Sequence, residues 1–351
     1  NTNWGINMIG DMQRWTPNVA SIIEHAKEFH PKKEVISRMV SGDVHRTNYE
    51  EVCIRSRKLA SALEKDGYKK GDVIATLALN TYRHLEMYYG ISGMGAICHT
   101  LNFRLHPEQA VYIINHADDK IIFCEVPFIP IMEGLKDQLP CVEKYIILCD
   151  EADMPETGLK NAVSYEEYIN NGVEDYVWPA MEDDAACGLC YTSGTTGNPK
   201  GVLYSHKSNI LHAQASLVGM PIGPDESILM VVPLFHVLAW GIPYYGPMNG
   251  SKLVMPGMQM EGEPLFDLID KEKVTLAFGV PTIWMGLLAY CRDNNKILTS
   301  VRNTIIGGSA LSLPTLQEFD EVHDVNVIHA WGMTEMSPLG TINVPTPEMD
   351  N

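Results

Sequence analysis

Positive charge is what this sequence has least of: 26 Lys and Arg stand against 44 Asp and Glu, a formal net charge of −18 with histidine neutral. Nucleic acid is held largely through its phosphates, which need a basic face, so a general nucleic-acid binder is excluded. Long apolar runs are missing as well. The most apolar windows, 121–132 and 237–248, are interrupted by Glu125 or by Gly and Pro. No stretch reaches the ~18 apolar residues of a membrane-spanning helix. The chain opens Asn1-Thr-Asn-Trp4, without an initiator Met and without the basic and apolar regions of a signal peptide. Further residues are therefore expected before it. No short-period repeat or low-complexity tract is present. The eight cysteines are scattered and mostly sit in apolar runs such as Ile121-Ile-Phe-Cys124, which argues against a disulfide scaffold and for free thiols in a reducing cytoplasm. Cys187-Gly-Leu-Cys190 has redox spacing, but it lies in an apolar run with no second pair for zinc; buried strand cysteines are the expectation.

What is present is a globular composition, 45% hydrophobic and 20% charged over 351 residues, enough chain for a large core in two or three layers. Helix and strand signals alternate, the pattern of an α/β protein with a largely parallel sheet. Thr16 with Pro17 opens a first helix, with Val19, Ile22, Ile23, Ala26 and Phe29 on one face. Thr47-Asn-Tyr-Glu50 reads as a capping box for a helix ending near Gly67. Strands follow at 73–79, 96–101, 120–124 and 144–148, with helices over 82–94 and from Pro107. Ser164-Tyr-Glu-Glu167 is a second capping box, and the acidic step Glu182-Asp-Asp184 precedes an apolar strand at 185–191. A boundary between two α/β subdomains, 1–184 and 185–351, is expected there. Beyond it come a helix from about Ser205, strands at 228–232, 252–255, 274–278, 304–307 and 326–329, and helices over 264–271 and from Pro281.

The chemistry-bearing segment follows the 185–191 strand: Thr192-Ser-Gly-Thr-Thr-Gly-Asn-Pro-Lys-Gly201. Glycines let backbone amides approach an anion, hydroxyls add donors and a lysine adds charge, so the segment suits a polyphosphate. Lys200 is flanked by Pro199 and Gly201 where a Walker A loop would have Lys-Ser/Thr after the glycine. A flexible, hydroxyl-rich surface turn is the alternative. Further on, Thr334 and Glu335 follow a strand, where a hydroxyl could meet a phosphate and a carboxylate could hold magnesium; Glu335 also reads as an ordinary solvated acid. Trp331 could face a purine or simply pack in the core. His236, between Phe235 and Val237, reads equally as a core histidine, and Trp240 as a buried core residue or a pocket wall.

Taken together, the segment 191–202, His329-Ala-Trp-Gly-Met-Thr-Glu335, Gly307-Gly-Ser-Ala-Leu311 and Pro233-Leu-Phe-His236 resemble, in order and separation, four motifs of the acyl-adenylate-forming superfamily. That superfamily holds acyl-CoA ligases, luciferases and peptide-synthetase adenylation domains, and the resemblance spans essentially the whole chain. Segments 87–102 and 107–116 are similar to the branch of medium-chain fatty-acid and 3-methylmercaptopropionate CoA ligases. The resemblance implies the large N-terminal domain of that fold: two stacked doubly wound α/β subdomains plus a smaller β-rich one. The ribose-binding aspartate, the hinge and the small C-terminal domain with its catalytic lysine would lie beyond Asn351.

The implied roles follow the motifs. ATP or AMP would be bound by Thr192, Ser193, Gly194, Thr195, Thr196, Gly197 and Lys200, by Gly307, Gly308, Ser309 and Ala310, and by His329, Ala330, Trp331, Gly332, Met333 and Thr334. Trp331 would stack on adenine. Mg2+ would sit at Thr192 and Glu335, while Thr195, Thr196 and Lys200 attend the departing pyrophosphate. His236, Trp240, Gly332, Met333 and Pro338 would line the acid pocket. The implied catalytic set is Thr334, Glu335, His236 and Lys200, acting on a short- or medium-chain carboxylic acid, a fatty acid or 3-methylmercaptopropionate, with coenzyme A as co-substrate; a homodimer and a cytoplasmic location are open expectations. Two other classes are weighed. A serine hydrolase needs Gly-x-Ser-x-Gly, and Gly307-Gly-Ser309-Ala-Leu311 fails its last position. A non-catalytic nucleotide-binding module would carry the same loops.

Overall fold

The computed structural model describes residues 12, 15–182, 184–192 and 197–343. Their strands build two sheets. The seven-stranded sheet runs β7 (Val163–Ser164), β6 (Lys144–Ile147), β5 (Ile121–Cys124), β3 (Val73–Leu77), β4 (Ile97–Thr100), β8 (Ala186–Thr192), β9 (Lys200–Ser205). The eight-stranded sheet runs β15 (Leu339–Ile342), β14 (Asn326–Gly332), β13 (Asn303–Ile306), β12 (Leu276–Gly279), β10 (Ser227–Met230), β11 (Lys252–Met255), β1 (Glu34–Arg38), β2 (Val44–Asn48). Pairing is parallel except at the edges, where β9, β2 and β15 each run antiparallel to their neighbour. Strands buried on both faces read as continuous apolar runs, which is why Ile121–Cys124 and Leu276–Gly279 were legible as strands.

Three apolar clusters give the layering. One joins the facing sides of both sheets, combining Ile74, Cys98 and Phe123 with Ile228, Met255 and Phe278. The others lie on the outer faces, under helices such as Gly262–Glu272 and Pro281–Asp293 on one side and Pro107–Ala117 on the other. The helix Tyr82–Gly93 lies in the middle layer, every residue buried. Its polar side chains must therefore be satisfied inside the protein. Glu86 accepts from Arg55 at 2.7 Å and from the Tyr165 hydroxyl at 2.8 Å, and Ser92 donates to the Cys187 carbonyl at 2.7 Å. Arg55 and Arg83 both reach Glu166, tying this helix to Tyr49–Lys65 and Tyr165–Asn170.

The sheets do not divide at residue 184. β1 and β2 join the sheet of the second half, while β8 and β9 complete that of the first, because β11 and β4 offer buried edges that these strands cover. The described strands all fall in these two sheets, so the smaller β-rich part has no strands of its own among them. The first helix starts at Ala20, later than Thr16 suggested; the Asn18 side chain accepts from Ala20 N at 2.9 Å, and Phe29 is exposed. At the second helix the cap is Asn48, whose side chain accepts from Glu51 N at 3.0 Å, one residue beyond the box expected at Thr47. Ser164 caps as expected. The cysteines are free, with Cys187 and Cys190 buried in β8. Among the described residues no helix is long and apolar enough to cross a membrane.

Candidate active site

Doubly wound sheets bind ligands beyond the carboxyl ends of their strands. β13 and β14 are neighbours, so the turn after Ile306 and the segment 331–335 leave the same edge side by side. Gly307 lies where a Cβ would stand 2.8 Å from the Ala330 carbonyl and 3.2 Å from the Trp240 ring; a larger residue would push the indole away. His329 Nε2 lies 3.3 Å from the Ser309 carbonyl and ties β14 to this turn. At Gly332 a Cβ would come within 2.4 Å of the Pro338 carbonyl, whose oxygen also accepts from Met333 N at 3.0 Å. The Tyr204 hydroxyl of β9 donates to the Thr334 carbonyl at 2.5 Å, so the second sheet's turn is pinned by an edge strand of the first. Trp331 backs onto Gly340 and remains 54% exposed, which leaves a ring face free for a ligand.

A second turn leaves β10. After Pro233–His236, the residues Val237, Leu238, Ala239 and Trp240 all take left-handed dihedrals, with φ between 48° and 56°. The segment thus winds the opposite way to an α-helix before the helix Ile242–Asn249, so Trp240 does not stand one α-helical turn from His236. Gly241, at φ 84°, fits closely against His212, whose Nδ1 would lie 2.8 Å from a Cβ there; His212 Nε2 accepts from Leu339 N at 3.1 Å. Burial depresses the His212 pKa to about 4 and keeps it a neutral acceptor. His236 is no core residue. It keeps open surface on the cavity wall, while the surrounding protein lowers its pKa from the ordinary histidine range.

Between these turns lies a cavity of about 360 Å³. Thr192, His236, Trp240, Gly307, Gly308, Ala330, Trp331, Gly332, Met333, Thr334, Glu335 and Pro338 all line it. Lys200 does not: it is exposed, opposite Thr192 in the β8–β9 pair. Ser309 and Ala310 are exposed beyond the cavity lining, His329 lies in β14 behind it, and Gly197 stands in open space at φ 98°. Ser193, Gly194, Thr195 and Thr196 lie outside the described residues. The sequence reading missed the apolar wall made by Met220, Val232, Tyr245 and Phe278. Its sole sequence signal was position, since Phe278 and Val232 sit at or just past strand ends.

The cavity lining therefore combines apolar side chains with hydroxyls and a carboxylate. The Thr192 hydroxyl and the Glu335 carboxylate are hard oxygen donors, the type magnesium takes. Among the described residues no group of three or more His, Cys, Asp or Glu could hold a metal, so an ion here would draw its other ligands from substrate phosphates and water.

This edge, with two glycine-dependent turns flanking one cavity, belongs to the adenylate-forming class of α/β fold. An anthranilate CoA ligase in complex with anthranoyl-AMP superposes with a TM-score of 0.86 at 22% identity, over 95% of this chain and 63% of that one. The N-terminal domain of FACL13 from Mycobacterium tuberculosis gives 0.82 at 23%, over 93% and 78%. The chain belongs to the AMP-binding enzyme family, whose model matches residues 23–351. It is 44% identical to a medium-chain-fatty-acid CoA ligase of Ectopseudomonas oleovorans, over 96% of this chain and 62% of the relative. It is 45% identical to a 3-methylmercaptopropionyl-CoA ligase of Ruegeria lacuscaerulensis, over 96% and 63%. The chain thus spans rather less than two thirds of these relatives.

Proposed function

We propose that the chain is the nucleotide- and acid-binding part of an ATP-dependent acid:CoA ligase that activates a short- or medium-chain carboxylic acid through an acyl-AMP. The observation that carries this is the single cavity shared by an apolar wall and the Thr334-Glu335 turn. It lets an acid tail and a nucleotide meet at one point. The carboxylate attacks the α-phosphorus of ATP, the bond to pyrophosphate breaks, and acyl-AMP forms. An acid ionised at neutral pH needs no general base, so the work is alignment and charge stabilisation. Trp331 offers its free face to the adenine, with Gly307 and Gly308 on the turn alongside; Thr334 donates towards the α-phosphate. Thr192 and Glu335 would hold magnesium, which supplies neutralisation of phosphate charge when bound. His236, neutral at pH 7, borders the acid carboxylate. In the second half-reaction the thiol of coenzyme A attacks the acyl carbonyl and AMP leaves.

Lys200, exposed and outside the cavity lining, supports at most a role towards pyrophosphate. The free, mostly buried cysteines accord with a cytoplasmic compartment. The test is magnesium-dependent ATP–pyrophosphate exchange by the whole protein across acids of increasing length. Exchange with short and medium acids supports the reading. AMP binding without exchange points to a binding module, and preference for long acids overturns the chain-length part.

A further inference from the structure

We infer that Asn80 is a positioning residue for the turn that carries His236 and Trp240, an assignment that rests on the function proposed above. Asn80 stands in the loop after β3, in the seven-stranded sheet, and reaches the end of β10 in the other. Its Nδ2 donates to the carbonyls of Met230 and Val232, both at 2.8 Å, and its Oδ1 accepts from Leu234 N at 2.7 Å. The strand ladder gives out at this point, and backbone groups buried there need partners from elsewhere. A planar amide supplies two donors and an acceptor at once. Aspartate would turn an oxygen towards two carbonyls; alanine would leave an amide and two carbonyls unpaired.

Two further side chains from the same sheet and the helix behind it hold the turn. The Tyr88 hydroxyl donates to the Leu234 carbonyl, and Thr100 Oγ1 donates to the Phe235 carbonyl at 3.2 Å. The base of Asn80 is fixed too: Leu79 N donates to Glu125 Oε2 at 3.2 Å, and Tyr82 N donates to Ser37 Oγ of β1 at 2.8 Å. Asn80 does not line the cavity, so it acts through the residues it holds. Four successive left-handed non-glycine residues are each strained in isolation. The turn therefore needs a rigid start if His236 and Trp240 are to face the acid end of the site.

The test uses Asn80→Ala in the whole protein, with Thr100→Val as a milder variant should the first fail to fold. Tyr49→Phe serves as control; it removes another buried bond between the halves, from the Tyr49 hydroxyl to the Ser251 carbonyl at 2.5 Å, away from the turn. Hydrogen exchange over residues 231–241 is expected to quicken about tenfold, the KM for acid to rise about tenfold and the KM for ATP to stay within about twofold, with a smaller change of the same kind for Thr100→Val. Exchange no faster there than in Tyr49→Phe, or acid and ATP constants rising together, overturns the assignment. If the parent shows no acid-dependent pyrophosphate exchange, the proposed function falls, while the hydrogen-exchange comparison still decides whether Asn80 holds the turn.

Discussion

The two turns that wall the cavity are built on opposite plans. The Trp331–Leu339 turn is largely exposed and closed chiefly by its own backbone: β14 pairs with β15 and Met333 N closes onto the Pro338 carbonyl, with Tyr204 and His212 adding one bond each from further away in sequence. The Pro233–Gly241 turn is mostly buried, passes through four left-handed non-glycine residues and is held by side chains far away in sequence. A turn closed by local backbone bonds can be recognised from its residues. One stabilised by distant partners can be recognised only once those partners are in place, because strain of this kind persists where the surroundings over-determine it.

The contrast can be broken most sharply at the exposed turn. On the proposed function Glu335 would be a donor to magnesium, so Glu335→Gln should lower acid-dependent pyrophosphate exchange about a hundredfold or more at limiting magnesium, while the thermal midpoint stays put. Unchanged exchange would remove Glu335 from the metal site.

Next comes the support beneath the buried turn. Burial raises the Glu125 pKa from 4.5 to about 7, with Leu79 N donating to the carboxylate and Arg83 opposing the shift more weakly. A raised carboxyl pKa gives stability that is complete below the unfolded value and lost as pH rises towards 7. Glu125→Gln, which keeps the acceptor for Leu79, should therefore stabilise the protein by up to about 3 kcal/mol at pH 8 and change little below pH 4.5. Denaturant midpoints at the two pH values check this; an equal shift at both would rule out the titration.

Gly332→Ala should cost about 2 kcal/mol, because the added methyl meets a backbone oxygen that is itself bonded. In the buried turn the opposite sign is expected. Ala239→Gly, at φ 49°, relieves left-handed strain and should be neutral or stabilising by up to about 1 kcal/mol. Equal losses at both positions would erase the distinction between the turns.

Trp240→Ala carries the smallest energetic effect per methylene, about 0.8 kcal/mol for each one a longer acid could bury. It should move the ranking of acids towards longer chains and leave ATP affinity unchanged. An unaltered ranking would make Trp240 packing alone.

Much of this was legible from the residues. The apolar strand 185–191 leading into a glycine and hydroxyl run, the Thr-Glu pair after a strand, and the Ser164 cap all rest on contacts within a few positions of each other. The helix Ile242–Asn249 was not legible, since Pro243 and Pro247 speak against a helix and burial alone favours it. The helix Leu313–His323 and the strands β2 and β15 were also missed; β2 and β15 are short edge strands whose pairing is settled by the neighbour.

The sequence by itself determined the alternation of elements, the parallel character of the sheets and which residues offer donors suited to phosphate or a metal, because periodicity, caps and hydroxyl or carboxylate donors are properties of neighbouring residues. Tertiary structure alone decided that β1 and β2 cross to the second sheet, that His236 faces a cavity, and that Trp240 meets Gly307. Those outcomes depend on buried edges and on bonds such as that between Asn80 and Leu234, whose partners follow strands of different sheets and become neighbours only when both pack on one core.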